Sequence, residues 1–159
     1  GGEMVGTVTF EKTTYAPLPM KFEAGTQNFA SAATLKPAID VANKLNDNKL
    51  VENLDSIRDY LLDYFRKDER IRLYGVPRGT NEEKIPLFSF SVKGVHHEDL
   101  ALILDKMGVA VRSGQMCAEP LMDRFGVTGM LRVSFAPYNT LEEAEYFVKC
   151  LNKAIDMLL

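Results

Sequence analysis

The sequence predicts a small α+β domain, in which a largely antiparallel sheet is covered by helices and is preceded by one strand that need not belong to the same sheet. Two observations lead to this class. Short β-branched or alternating segments predict strands, and longer segments with apolar residues at helical spacing predict helices. These segments follow one another in the order β, α, α, β, β, α, β, β, α, which is a mixed order typical of α+β domains.

The first predicted element is a strand at 4–10, which is short and rich in β-branched residues. An irregular connector with two prolines follows at 11–20. A helix is predicted at 29–45, where small and apolar residues recur at helical spacing. Asn28 is available as its N-cap, and Pro37 is expected to bend it.

The middle of the chain predicts one helix and two strands. The helix covers about 51–65, where an apolar stripe alternates with charged residues that face water. Strands are expected at 71–74 and 87–92, separated by a turn-rich segment at 75–81.

The last third alternates between helices and short strands. Its predicted elements are a helix at 97–107 ending at Gly108, a strand at 109–112, a cysteine loop, a helical turn at 121–124, a strand at 131–135, and a helix at 141–158 capped by Thr140.

Composition restricts the class of protein. With 159 residues, 46% hydrophobic and 26% charged, the chain suits one globular domain. A net charge of −3 argues against nucleic acid or an anionic membrane as the main partner. Two cysteines give no disulfide framework, and no signal peptide or membrane segment is recognisable, so a cytoplasmic location is expected. The missing initiator methionine suggests that the true N-terminus lies upstream or that a cloning remnant is present.

Cys117 is the main candidate for chemistry. It lies in a short polar loop, with Ser113, Gly114, Gln115 and Glu119 around it, and such neighbours do not favour a packed core. A free cysteine is nevertheless most often a small buried hydrophobe, so the local sequence leaves both roles open. Cys150 lies on the apolar stripe of the last helix and is expected to be core.

Two arginines flank this loop in the sequence. Arg132 alternates with the apolar residues of its strand, so it lies on the polar face, where a guanidinium can bind a carboxylate through two hydrogen bonds. Arg112 precedes Cys117 by five residues and could steady the loop or lower the thiol pKa. The alternative for each is a solvated surface arginine.

Two further segments carry weaker signals. Gly25 and Thr26 stand just ahead of a helix and offer backbone N–H groups and a hydroxyl to an anion. His96 and His97 could suggest a metal or a general base, but nothing nearby completes a ligand set. A role at the start of a helix is therefore preferred for the two histidines, and no metal site is expected.

Three segments together resemble the C-terminal portion of a group II (Suf-type) cysteine desulfurase, a fold-type I pyridoxal 5′-phosphate enzyme of the class V aminotransferase family. The first is the run from Arg112 to Met122, which matches the pattern Arg-Ser/Thr-Gly, two residues, Cys-Ala, one residue, Pro-Leu-Met. The other two are Phe22 to Asn28 and Arg132 to Thr140. The resemblance covers essentially the whole chain in order.

The resemblance implies a role for each candidate. Cys117 corresponds to the nucleophile that takes sulfur from L-cysteine as a persulfide and releases L-alanine, for iron–sulfur cluster assembly. Arg132 corresponds to the ligand of the substrate carboxylate, and Arg112 to the loop arginine near the substrate. Thr26, and with it Gly25, correspond to residues that reach the cofactor phosphate of the neighbouring subunit, which implies a homodimer. A sulfur-acceptor protein is the implied partner.

The chain also departs from the family. Gln115 and Met116 stand where many relatives have two histidines, which leaves in doubt any proton transfer assigned to that pair. The family binds its cofactor through a lysine in a Ser-x-His-Lys segment, and this sequence contains no His-Lys pair. Its lysines, including Lys84, Lys93 and Lys106, are expected to be solvated.

The expected organisation follows from what is missing. Residues 1–36 correspond to the last strand and connector of the large cofactor-binding domain, and 37–159 to the small C-terminal domain with the cysteine loop. The chain is then a fragment, inactive by itself, of a desulfurase. Selenocysteine lyase, which shares the scaffold, and a non-catalytic module that binds a sulfur-transfer partner are the alternatives. Without its sheet, the strand at 4–10 is expected to pack against a neighbour or to be domain-swapped.

Overall fold

The computed structural model describes residues 2–46, 48–75, 81 and 84–159. These residues form two compact units, Gly1–Lys44 and Leu45–Leu159, each of which is described by itself. The predicted turn at 75–81 lies outside the described residues except at its two ends. In the described part of the chain, no helix is both long and apolar enough to cross a membrane.

Six strands and five helices are described, together with two short 3₁₀ turns at Gly2–Met4 and Met20–Phe22. In chain order the elements are β1 (Val5–Val8), β2 (Thr13–Tyr15), α1 (Phe29–Leu45), α2 (Asn48–Lys67), β3 (Ile71–Tyr74), β4 (Leu87–Val92), α3 (His97–Lys106), β5 (Arg112–Gly114), α4 (Glu119–Phe125), β6 (Met130–Ser134) and α5 (Leu141–Leu158).

The first unit contains a β-hairpin and one helix. Strand β1 pairs antiparallel with β2, with Val5 opposite Tyr15. The connector that the sequence predicted to be irregular therefore contains β2, and β1 has a pairing partner within the chain. Asn28 caps α1 as predicted, because its Oδ1 accepts from the Ser31 N–H at 3.2 Å. Pro37 lies inside this helix.

Apolar side chains of the first unit are exposed to an unusual degree. No residue of α1 is buried, although Leu35 and Ile39 follow the helical spacing expected of a core-facing stripe. Phe10 and Phe22, in the segments that precede α1, are also largely exposed. Contiguous exposed apolar surface on a soluble protein commonly marks a site of interaction.

The second unit is built on a four-stranded antiparallel sheet in the order β3-β4-β6-β5. Strand β4 lies at the predicted residues 87–92, and its burial alternates: Phe88, Phe90 and Val92 are buried, and the residues between them face the other side. Leu131 and Val133 of β6 belong to the same core cluster, which also contains residues of α2, α3 and α5. These three helices therefore cover one face of the sheet, and the predicted α+β class is confirmed.

Helix α5 closes this core. Thr140 forms a capping box: its Oγ1 accepts from the Glu143 N–H, and the Glu143 carboxylate accepts from the Thr140 N–H. Cys150 is buried in the core, as its place on the apolar stripe predicted.

The opposite face of the sheet carries a smaller cluster. Tyr74, Met122 and Met130 are buried there, with Phe125 and Val127 packed against them. Helix α4 covers this part of the sheet and is longer than the predicted turn at 121–124. Strand β5 begins at Arg112 rather than at 109, because only 112–114 pair with β6.

An ion pair network fixes α5 to the segment before β3. The Arg70 guanidinium donates to Asp68 Oδ2 at 2.7 Å and to Asp156 Oδ1 at 2.9 Å. The hydrogen bonds from Arg70 outweigh the opposing effect of burial and lower the pKa of Asp68. A carboxyl whose folded pKa is depressed stabilises the protein above its unfolded pKa, and that contribution is lost as the pH falls through the folded value.

Asp68→Asn is therefore expected to destabilise the chain at pH 7 by about 2 kcal/mol, the usual size of hydrogen bonds to a charged group. The difference in melting temperature from the wild type should shrink as the pH falls below about 4, the ordinary pKa of an aspartate, and towards the lower pKa that Asp68 has in the folded chain. The matched control is Asp63→Asn, which removes an exposed ion pair with Lys67 and should have little effect. If the melting temperatures of Asp68→Asn and of the wild type differ by the same amount at pH 7 and at pH 2.5, this prediction is contradicted.

Candidate active site

Cys117 is presented by a tight turn between β5 and α4. The turn is closed by the Ala118 N–H, which donates to the Gln115 carbonyl oxygen at 3.0 Å. The thiol is exposed. Exposure removes the buried-hydrophobe alternative for Cys117 and makes its sulfur accessible to a reactant.

The backbone of this turn is strained. Met116 has a φ of 58° and Cys117 a φ of 59°, and these are the described non-glycine residues in the left-handed region. Each costs on the order of 1–2 kcal/mol relative to ordinary backbone, because its Cβ crowds the following carbonyl oxygen. Strain of this kind persists where the surrounding structure enforces it and is concentrated at functional sites.

Gly114, the last residue of β5, lets the chain enter the turn. Its φ is +112°, where only glycine is comfortable, and a Cβ added at this position would have no atom within 4 Å. Gly114→Ala is therefore expected to act through the backbone alone, lowering the free energy of unfolding by about 1–3 kcal/mol. It should also speed amide hydrogen exchange at 115–118, measured by mass spectrometry.

Gly108→Ala is the control for this backbone effect. Gly108 follows α3 with a φ of +77° and has equally open space around its Cβ position. The substitution should cost about 1 kcal/mol without changing exchange at 115–118. Equal exchange rates at 115–118 in the two variants would contradict a specific role of Gly114 in shaping the turn.

Arg112 and Arg132 are brought together by the sheet. They are direct cross-strand partners in the antiparallel pair β5–β6, and Ser89 is the partner of Arg132 on β4. Residues directly opposite each other project from the same face, where like charges repel. Neither arginine forms an ion pair among the described residues, so this face of the sheet has unneutralised positive charge suited to an anion.

A cavity of about 310 Å³ lies on this face. Arg132 and Ser89 line it from the sheet, and Met116 and Ala118 line it from the two sides of Cys117. The cavity thus joins the predicted carboxylate ligand to the cysteine turn.

Lys84 also lines the cavity, so the sequence-based expectation that this lysine is solvated is wrong. It is half-buried, and burial lowers the pKa of its ammonium group. Its Nζ lies 5.6 Å from the centroid of the Phe88 ring, which allows a cation–π contact. Lys93 and Lys106 are exposed, as expected.

Gly25 and Thr26 belong to the first unit. Gly25 has a φ of +84° and open space around its Cβ position, and Thr26 is exposed just before the capped start of α1. The Thr26 hydroxyl makes no hydrogen bond with other described residues, so it is available to a ligand from solvent.

The two histidines stand at the start of α3, as the sequence predicted. The His96 side chain caps the helix by accepting from the Glu98 N–H at 3.4 Å. His97 is buried and makes a hydrogen bond of 2.9 Å to the Ser113 Oγ, a contact that the sequence did not reveal.

Gln115 and Met116, the residues at the position of the expected histidine pair, have different surroundings. The Gln115 amide donates to Glu119 Oε1 at 3.2 Å across the turn. Met116 lines the cavity.

Comparison with known proteins gives consistent similarities. A sequence profile of the family "Aminotransferase class-V" matches residues 1–147. A protein named probable cysteine desulfurase from Vibrio cholerae is 41% identical over 158 residues, covering 99% of this chain and 38% of that protein. The cysteine desulfurase CsdA of Escherichia coli is 35% identical over 159 residues, covering 100% of this chain and 38% of that protein.

Solved structures give the same result. A crystal structure of Escherichia coli CsdA (S-sulfonic acid) matches with a TM-score of 0.79 and 34% identity, covering 100% of this chain and 38% of that chain. The apo structure of a cysteine desulfurase from Thermococcus onnurineus matches with a TM-score of 0.72 and 31% identity, covering 99% of this chain and 38% of that chain. The chain thus spans little more than a third of the length of these relatives.

Proposed function

Because the chain belongs to the aminotransferase class-V family, we propose that it is the C-terminal part of a longer cysteine desulfurase that depends on pyridoxal 5′-phosphate. In that enzyme L-cysteine is converted to L-alanine, and its sulfur passes to Cys117. The chain alone lacks the cofactor-binding lysine and is inactive. The proposal is supported by the relatives named cysteine desulfurase, which match from one end of this chain to the other.

The observation that carries the proposal is the pairing of Arg112 with Arg132 beside the cysteine turn. Two guanidinium groups without an acidic partner among the described residues are suited to a carboxylate. We assign the substrate carboxylate to Arg132, which lines the cavity, in a two-pronged contact. Arg112, which is exposed at the sheet edge, adds positive charge near the substrate. The carboxylate would also relieve the repulsion between the two arginines.

Cys117 performs the sulfur transfer. Its thiolate attacks the sulfur of the substrate, so that a new S–S bond forms as the carbon–sulfur bond of L-cysteine breaks. The electron pair of the broken bond goes to the carbon fragment, which takes up a proton and leaves as L-alanine. One thiol and one L-cysteine thus yield one persulfide and one L-alanine, and no oxidant is needed. The exposed position of Cys117 then gives a sulfur-acceptor protein access to the persulfide.

Pyridoxal 5′-phosphate, when bound, supplies the electron sink that weakens bonds next to the α-carbon of the amino acid. Gly25 and Thr26 fit a contact with its phosphate, because the Thr26 hydroxyl is exposed and unpaired among the described residues and Gly25 leaves open space beside it. By the family resemblance this contact is donated to the neighbouring subunit, so we propose a homodimer. No His-Lys pair exists in this chain, and the cofactor-binding lysine must come from outside these 159 residues.

We further propose that residues 1–36 end a large cofactor-binding domain and that 37–159 form the small domain. The exposed apolar side chains at Phe10, Phe22 and Leu35 support this, because such surface is expected to be covered in the whole protein. The compact units divide at Lys44, within one residue of the end of α1. Both cysteines are free thiols, in keeping with a cytoplasmic location.

The test is an assay of the longer gene product that contains these residues. Purified with its cofactor and supplied with L-cysteine and dithiothreitol, it should release L-alanine and sulfide in equal amounts. The 159-residue chain, incubated with pyridoxal 5′-phosphate and dialysed, should retain no visible absorption band. A stable, stoichiometric band that shifts with L-cysteine would mean that a lysine of this chain binds the cofactor. If the longer protein, with its cofactor bound, releases no alanine, the alternative of a non-catalytic module is favoured.

A further inference from the structure

His97 occupies a packed position where three elements of the second unit meet. It begins α3, its ring stacks on that of His96 with centroids 4.4 Å apart, and 9% of its surface is exposed. Gly129, just before β6, lies so close that a Cβ at this position would collide with the His97 ring. The His96 ring on one side and Gly129 on the other therefore hold the His97 ring in one position.

From that place His97 contacts the strand that leads into the cysteine turn. Its Nδ1 lies 2.9 Å from the Ser113 Oγ, and either group can be the donor. Burial, and then the charge of His96, lower the pKa of His97, which favours the neutral form of its imidazole. His97 also lines a cavity of about 370 Å³ together with Gly114 and Gln115, so it lies beside the start of the turn.

Ser113 lies where a change in its hydrogen bond to His97 would move the cysteine turn. Strand β5 is three residues long and lies at the edge of the sheet, so its ladder to β6 fixes it from one side only. The next residue, Gly114, turns the chain towards the strained pair Met116 and Cys117. A small rotation of the strand at Ser113 would therefore move the Cys117 sulfur.

We propose that His97 is a positioning residue for sulfur transfer: its hydrogen bond to Ser113 anchors the end of β5 and so aims Cys117 at the substrate sulfur. The inference rests on the proposed function and adds to it. His97 does not touch the substrate in this account, and its effect on the reaction passes through Ser113 and the turn. Misplacement of a reacting group by about 1 Å can lower a rate by about 100-fold. Even a weak hydrogen bond between His97 and Ser113 can therefore affect the rate of sulfur transfer.

The test compares five variants of the whole enzyme: two at Ser113, two at His97 and one control. Ser113→Ala removes the hydrogen bond, and Ser113→Thr keeps the hydroxyl. Ser91→Ala is the matched control, because Ser91 Oγ makes a side-chain hydrogen bond of the same 2.9 Å length, to the Tyr74 hydroxyl, elsewhere on this sheet. For each variant, kcat and KM for L-cysteine, the melting temperature and amide hydrogen exchange at 114–118 are measured.

Ser113→Ala is expected to lower kcat by about 10- to 100-fold with KM nearly unchanged, and to speed exchange at 114–118. Ser113→Thr should restore both. Ser91→Ala should lower the melting temperature as much as Ser113→Ala while leaving kcat and the exchange of the turn at wild-type values. His97→Asn, which keeps a hydrogen-bonding group near the Nδ1 position, should retain more activity than His97→Leu.

Two results would overturn the proposal. The first is wild-type kcat and wild-type exchange at 114–118 in Ser113→Ala. The second is an equal loss of kcat in Ser113→Ala and Ser91→Ala, which would trace the effect to stability alone. Failure of the proposed function is a separate outcome, because the exchange of the turn reports on the anchor even if the wild-type protein does not act on L-cysteine.

Discussion

Cys117→Ala in the whole enzyme is expected to abolish persulfide formation, lowering cysteine-dependent sulfide release by at least about 10³-fold. The reason is that the variant lacks the sulfur atom that we propose attacks the substrate. The cofactor should remain bound at wild-type stoichiometry, because Cys117 contacts no group that holds it in this account. Sulfide release with dithiothreitol and the visible spectrum of the bound cofactor measure the two effects.

Cys150→Ala is the matched control, since it removes the second thiol of the chain. Cys150 is buried in the core of the second unit, where a reactant has no access. This variant should lose some stability, about 1 kcal/mol for the small cavity it leaves, and keep persulfide formation. Retained sulfide release in Cys117→Ala, or its loss in Cys150→Ala with the fold intact, would defeat the role assigned to Cys117.

Arg132→Met should have the second largest effect, a fall of at least about 10²-fold in kcat/KM for L-cysteine. Two hydrogen bonds to the carboxylate are lost, at about 1.5–3 kcal/mol for each charged hydrogen bond, and every 1.4 kcal/mol is a factor of ten. Most of the change should appear as a higher KM. Steady-state kinetics over a wide range of L-cysteine concentration separates the two parameters.

Although Arg132→Met is expected to weaken substrate binding, it is not expected to destabilise the fold. Because Arg132 lies across from Arg112, its removal relieves repulsion between like charges. The melting temperature without substrate should therefore be unchanged or slightly higher. Arg124→Met, at an exposed position in the last turn of α4, is the control and should leave KM unchanged. A lowered melting temperature together with a wild-type KM in Arg132→Met would contradict the binding role.

Local signals in the sequence were sufficient for the elements that form the core. The alternation in 87–92 and the apolar stripe of 141–158 depend only on residues close in sequence, and both elements are found where they were predicted. The cap of the last helix is equally local, since Thr140 and Glu143 are three residues apart. For these segments the intrinsic preference and the tertiary packing agree.

Strands defined by pairing were predicted less well. Thr13–Tyr15 is too short to show a periodic pattern, and its strand character comes from pairing with β1. The apolar run at 109–111 suggested a strand that begins too early. The strand is instead Arg112–Gly114, because the register is set by residues of β6 that lie far along the chain.

In the site, too, features local in sequence were predicted, whereas contacts between distant residues were not. The motif around Cys117 was visible in the sequence, as were the two arginines. Their cross-strand pairing was not, since register cannot be read from one strand alone. Half-burial of Lys84 and the contact between His97 and Ser113 were missed for the same reason, because both depend on neighbours brought close by the fold. The positive φ of Met116 has no local signal, since the residue is not glycine.

The central claim is that Cys117 accepts sulfur from L-cysteine, and locating that sulfur tests it most directly. The whole enzyme, loaded with its cofactor, would receive one equivalent of L-cysteine without reductant, then be alkylated, digested and mapped by peptide mass spectrometry. One additional sulfur atom on the peptide that contains Cys117, with an equal amount of L-alanine released, is the predicted result. Release of L-alanine with the added sulfur on another cysteine, or with no sulfur on the protein, would contradict the account.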